Sequence, residues 1–236
     1  MRKATIIAGK EFKSYLASPM AYVVTGIFLA ASGAFFGANP STYMETSING
    51  FLQAGVILLL LFAPLLTMRL LAEERKLGTI ELLLTAPVRD SEVILGKFLG
   101  SVAILTVMLA LTLYYPLLLI IFGDPDIGPI VSGYLGLLLL GYSSLAVGIF
   151  ASSLTSNQIV AAVVAIGILV ALYFLGFAAS FLPPALGEVV SYFSTSFYFP
   201  DFMRGIIDTR GIVYYLSITI LFTFLAIRSL ENSRWS

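Results

Sequence analysis

The chain has 236 residues, 59% hydrophobic and only 11% charged, with a mean hydropathy of +0.99. A soluble domain carries about a quarter charged residues, so most of this surface must face lipid. Thirteen basic and thirteen acidic residues cancel, which argues against a nucleic-acid partner, and the lack of Cys and His removes disulfides, zinc sites with nitrogen or sulfur ligands, Cys nucleophiles and His-based triads.

The first segment, residues 1–18, predicts an amphipathic helix. At 100° per residue, Ala4, Ala8, Phe12, Tyr15 and Leu16 fall on one face and Arg2, Lys3, Lys10 and Lys13 on the other, with Ile6 as the exception. Ser18-Pro19 then breaks the helix. A basic helix of this kind lies in the headgroup plane. It reads either as an anchor that only sets topology or as an elbow helix, with Lys10, Phe12, Lys13 and Tyr15, that braces the bundle and touches a cytoplasmic partner.

Crossing hydrocarbon as a helix takes about 20 mostly apolar residues. Six uncharged runs qualify: Met20–Ala38, Phe51–Met68, Phe98–Phe122, Ile130–Ala151, Gln158–Leu182 and Ile212–Ile227. The first is expected to be a retained span and not a cleaved signal peptide, because the segment before it is long and has structure of its own. The fourth and fifth are divided at Ala151–Gln158, where Ser156 or Asn157 is expected to cap the fifth helix. Tyr114-Tyr115-Pro116 predicts a kink in the third span.

Eleven of the thirteen Lys and Arg residues fall on one side: the N-terminus, the loop between spans two and three, and the tail. Only Arg204 and Arg210 fall on the other, which is acidic, so both termini are expected in the cytoplasm. No charge lies well inside any span. That counts against an ion-coupled carrier and against intramembrane catalysis by paired carboxylates. A lipid-modifying enzyme would have only Ser, Thr and Tyr to work with. No Gly-x-x-x-x-Gly-Lys-Ser/Thr loop occurs, since Gly96-Lys97 is followed by Phe98 at the head of a span.

The cytoplasmic loop at 73–88 concentrates the chemistry. Glu73-Glu74-Arg75-Lys76 forms a charged flank, Gly78 stops the helix continuing from span two, Thr79 can cap a short new helix, and Pro87 ends it. Ile80, Leu82, Leu83 and Leu84 give that helix an apolar surface too short to cross a bilayer. It reads either as an interfacial helix buried in lipid or in its own bundle, or as a ball for a socket on a soluble partner.

Glu73-Glu74-Arg75-Lys76-x-Gly78-Thr79-x-Glu81-x-Leu83-Leu84-x-x-Pro87-Val88, followed by Gly96-Lys97, resembles the signature of type-2 ABC permeases. Further similarity lies in Lys10–Tyr15 with Ser18-Pro19, Met68-Arg69, Ala151–Gln158 and Arg204–Asp208. Together these are most similar to the permease subunit of bacterial gliding-motility ABC systems. The resemblance implies that Gly78, Thr79, Glu81, Leu83, Leu84 and Pro87 form a coupling helix docking on a separate ATP-binding subunit, flanked by Glu73, Glu74 and Arg75.

The expected fold is therefore an all-α membrane protein. One permease domain over 1–236 would hold six transmembrane helices, the elbow helix, the coupling helix and an outer segment at 183–208. The expected function is the permease of an ABC exporter in a bacterial inner membrane, paired with a second copy or a paralogue. ATP and magnesium would sit on the partner subunit, and this chain would bind no metal or cofactor. The alternative is a non-transporting scaffold that recruits a cytoplasmic ATPase complex. Small residues at four-residue spacing, Ser132/Gly136, Ser144/Gly148/Ser152 and Ala161/Ala165, suit close packing in lipid, either within one subunit or at a dimer seam. The aromatic stretch Tyr192–Phe202 reads as an interfacial belt, and the resemblance implies that it could instead form outer re-entrant helices that close the exit.

Overall fold

The computed structural model describes residues 2–39, 47–79 and 88–232. Among them the secondary structure is entirely helical: α1 (Arg2–Ala17), α2 (Pro19–Ala38), α3 (Asn49–Thr67), α4 (Arg69–Lys76), α5 (Asp90–Leu111), α6 (Tyr114–Phe122), α7 (Ile127–Leu154), α8 (Gln158–Ala179), α9 (Pro184–Tyr192), α10 (Thr195–Met203) and α11 (Thr209–Asn232). Six stretches are long and apolar enough to cross a membrane: α2, α3 with α4, α5 with α6, α7, α8 and α11.

Local chemistry sets most of the boundaries. Ser18, extended at φ −91° and ψ 124°, separates α1 from α2, and Pro19 opens α2 where its missing N–H costs nothing. Asp126 caps α7 by accepting the Gly128 N–H at 2.9 Å. Asn157, of the two candidate caps, is the one that caps α8, taking the Ile159 N–H at 2.9 Å. The fourth span runs three residues further than the sequence suggested, to Leu154, so Ser152 and Ser153 lie in the helix and not in the break after it.

α7 is the centre of the bundle, packed against α3, α5, α8, α10 and α11. Its small residues admit neighbours of its own chain. Gly136 faces the rings of Phe199 and Phe202, Gly133 faces Leu52, and Gly148 faces Thr67. Added Cβ atoms at these positions would crowd those side chains. Of the two readings of the small-residue stripe, packing within one subunit accounts for its α7 members.

Two spans are broken, and α7 supplies a hydroxyl to each break. Pro116 has no N–H for the carbonyl of Thr112, four residues earlier. The Tyr115 N–H takes that carbonyl at 3.0 Å, and Tyr134 of α7 donates to it as well at 2.9 Å, its hydroxyl lying 3.0 Å from the Thr112 hydroxyl. Between α3 and α4, Ser152 accepts the N–H groups of Leu71 (3.1 Å) and Ala72 (3.0 Å) and donates to the Met68 carbonyl at 2.9 Å. The backbone at both breaks is buried from water, and a hydroxyl of α7 is there to bond it.

Tyr134→Phe should lower stability by about 1 kcal/mol, because it removes a buried hydrogen bond between α7 and the Thr112 carbonyl. Thermal unfolding in detergent would show this. Tyr142→Phe should cost less, since Thr106, the partner of its hydroxyl, already bonds the Val102 carbonyl.

Candidate functional site at the root of the loop

The helix α1 lies across the beginning of α5, and two glycines make the seat. A Cβ at Gly96 would stand 2.6 Å from Ile7 Cβ and 2.9 Å from the Ala4 carbonyl oxygen. One at Gly100 would meet Glu11 Cβ at 2.7 Å. The packed face of α1 is thus Ala4, Ile7, Ala8, Glu11, Phe12 and Tyr15. Leu16, placed by periodicity on the apolar face, is 43% exposed. The acidic Glu11 takes a place in the packed face because a cation waits opposite it.

That cation is Lys97. Its side chain is 3% exposed, and its ammonium donates to Glu11 Oε1 at 2.8 Å and to Glu74 Oε1 at 2.7 Å. One buried charge therefore joins α1, the stem α4 that leads into the loop, and the root of α5. A buried ammonium is tolerated only when paired in this way. Glu11 and Glu74 keep side-chain exposures of 17% and 29%, so both retain some water. The second oxygen of Glu74, Oε2, is buried and has no partner among the described residues.

A second set of contacts ties α1 to span two. The Tyr15 hydroxyl donates to the Leu66 carbonyl at 2.7 Å, and the ring is 1% exposed. Burial pushes the Tyr15 phenol far above its ordinary pKa, so it stays a neutral donor at any physiological pH. The Arg69 guanidinium lies 4.8 Å from the centre of this ring and donates to Ser18 Oγ at 2.8 Å. Between these contacts opens a polar cavity of about 290 Å³, lined by Lys10, Glu11, Arg69, Glu73, Glu74 and Lys97 with Ser14, Leu70 and Leu77.

The stem ends as the loop sequence suggested. Gly78 adopts φ +70°, a left-handed conformation that favours glycine. Leu77 and Gly78 donate N–H groups to the carbonyls of Glu73 (2.9 Å) and Arg75 (3.3 Å). The Thr79 hydroxyl turns back to the Glu74 carbonyl at 3.3 Å. Leu77 itself is 66% exposed at the rim of the cavity. Glu81, Leu83, Leu84 and Pro87 lie outside the described residues.

Of the residues singled out in the sequence, Glu73, Glu74, Lys10 and Tyr15 converge on this site, with Gly78 and Thr79 at its outer edge. Phe12 packs in the core beside it, and Lys13 points away as an exposed residue. Sequence reasoning missed the pairing role of Lys97 and Glu11, the place of Arg69, and the exposed Leu77. An apolar residue immediately before a helix-ending glycine was the one signal that could have flagged Leu77.

A family model described as ABC-2 family transporter protein matches residues 5–200. No curated protein matches the chain at a significant level.

Lys97→Met should strand two carboxylates and destabilise the protein by about 2 kcal/mol, less than a fully buried pair would cost because both acids keep some water. It should also speed proteolysis within α1. Adding Glu11→Gln and Glu74→Gln to the same protein should recover part of the loss, and chemical unfolding in detergent would measure both effects.

Proposed function

The chain belongs to the ABC-2 transporter family, and from that premise we propose that it is the membrane permease of an ABC exporter driven by a separate ATP-binding subunit. The observation that carries this reading is the junction at Lys97, where the stem of the loop, the N-terminal helix and the root of span three share one buried charge. A push on the loop would enter α4, reach α5 and α1 through Lys97, and reach α7 through Ser152. Rigid elements joined in this way move as a unit, which a coupling element requires.

In this reading Gly78, Thr79, Glu81, Leu83, Leu84 and Pro87 form the coupling helix that docks on the ATPase, with Glu73, Glu74 and Arg75 as its charged flank. α1 is the elbow helix, and its exposed Lys10 and Lys13 face headgroups or the same partner. ATP and magnesium are held by the partner. Two permease chains, identical or paralogous, complete the transporter. The eleven basic residues of one side support a cytoplasmic position for both termini and the loop, and the family resemblance supports a bacterial inner membrane. The Lys10–Tyr15 and Arg204–Asp208 segments support a place beside gliding-motility permeases.

The test is co-expression with an ATP-binding subunit encoded beside the gene, purification through a tag on this chain alone, and assay of ATP hydrolysis. Leu83→Asp and Glu81→Lys should cut the co-purified ATPase activity about tenfold or more while leaving membrane insertion intact. A chain that purifies alone, or an ATPase indifferent to both changes, would overturn the assignment. A partner that binds but whose hydrolysis never responds to the permease would point to passive recruitment.

A further inference from the structure

At the end of the bundle away from the termini, α9, the start of α10 and the first turns of α11 enclose a groove of about 560 Å³. Tyr192, Phe193, Tyr198 and Tyr214 form its aromatic wall. Tyr198 and Tyr214 stack with centroids 4.6 Å apart. The Tyr198 hydroxyl donates to the Tyr192 carbonyl at 3.1 Å and that of Tyr214 to the Phe193 carbonyl at 2.8 Å. Hydroxyls anchored on backbone hold both rings in place, so the wall is preformed.

From this wall an apolar strip of Val213, Ile218 and Leu221 continues along α11. Its rim is open, with Phe193 and Val213 each 62% exposed and Leu221 49% exposed. Arg210 to Leu221 spans about 16 Å of helix at 1.5 Å per residue. That is about half of a 30 Å hydrocarbon core, the depth of one leaflet.

A cation stands in the mouth of the groove and an anion just outside it. Arg210 lines it, and none of the ion pairs among the described residues involves this side chain. Asp208 stands two residues earlier, its Oδ1 accepting the Arg210 N–H at 2.9 Å. Both charges lie close enough to act on the Tyr198 hydroxyl, with opposite signs. A cation, an anion and several tyrosine rings thus meet at the head of a leaflet-long apolar strip.

We propose that this groove holds one zwitterionic phospholipid, its phosphate on Arg210, its amine toward Asp208 and the tyrosine rings, and one acyl chain along Val213, Ile218 and Leu221. A guanidinium binds phosphate through two parallel hydrogen bonds, and an ammonium is attracted to aromatic faces. A purely anionic headgroup would leave the Asp208 carboxylate facing like charge. The inference stands on this chain alone and does not depend on an ATPase partner.

The test is native mass spectrometry of the full chain, delipidated in mild detergent and supplied with equal amounts of phosphatidylethanolamine or phosphatidylglycerol. One phosphatidylethanolamine per chain should be retained, in preference to phosphatidylglycerol. Arg210→Ala should lower its retention about tenfold. Val213→Trp, which fills the groove, should also expel the lipid while leaving elution volume and thermal unfolding unchanged. Arg228→Ala, at the far end of α11 where Arg228 pairs with Glu231 at 2.8 Å, should change nothing. Equal retention by Arg210→Ala, equal loss in Arg228→Ala, or a preference for phosphatidylglycerol would overturn the proposal. So would a Val213→Trp variant that dissociates dimers and keeps its lipid, because the groove would then be a seat for a second copy.

Discussion

A backbone carbonyl or N–H inside hydrocarbon has no water to fall back on, so a span can bend only where another helix supplies the missing partner. In this protein a single helix does so twice. Tyr134 donates to the Thr112 carbonyl at the break before Pro116, and Ser152 enters the ladder between Met68 and Ala72. These two hydroxyls lie on α7, whose small residues let spans two and three come close enough to be reached. Past Met68 the stem α4 continues span two toward the loop, and its Glu74 meets Lys97 of α5.

The two ends of the bundle use different chemistry. At the loop end the contacts are ionic and hydrogen-bonded, centred on one buried ammonium and a neutral buried phenol. At the other end aromatic rings stacked between short helices do the packing, with Phe202 fully buried between Gly136 and Gly211. Ionic contacts are directional and lose much when broken, so the loop end suits a junction that carries force. Aromatic contacts leave broad apolar surface at the rim, which suits a boundary with lipid.

The six spans, the helix before them and the stop at Ser18-Pro19 were legible in the sequence, because run length, period and proline chemistry are local signals. Gly78 was legible for the same reason, as a glycine at the end of a helical pattern. The pairing of Lys97 was not: in sequence it counted as a topology charge and as part of the Gly96-Lys97 pair in the family signature, and its partners lie 86 and 23 residues away. Ser152 looked like part of a polar break, since nothing nearby in sequence reveals that span two needs a hydroxyl from 80 residues further on. Leu16 was assigned to the packed face by its period, but the crossing of α1 over Gly96 and Gly100 turns that face toward Ile7 and Glu11. What a helix buries is fixed by its crossing partner, which periodicity does not name.

The glycine seat of α1 also bears on the order in which the molecule is made. Chains are synthesised from the N-terminus, so α1 emerges long before Gly96, Lys97 and Gly100. Until the root of the third span arrives, Glu11 has no ammonium and Ala4 and Tyr15 have no cover from α5 or α3. α1 therefore has no seat until the root of the third span has been made, and its packed face lacks that cover until then. Its basic face gives it somewhere to wait. Its docking then reports that the first three spans have come together in the right register.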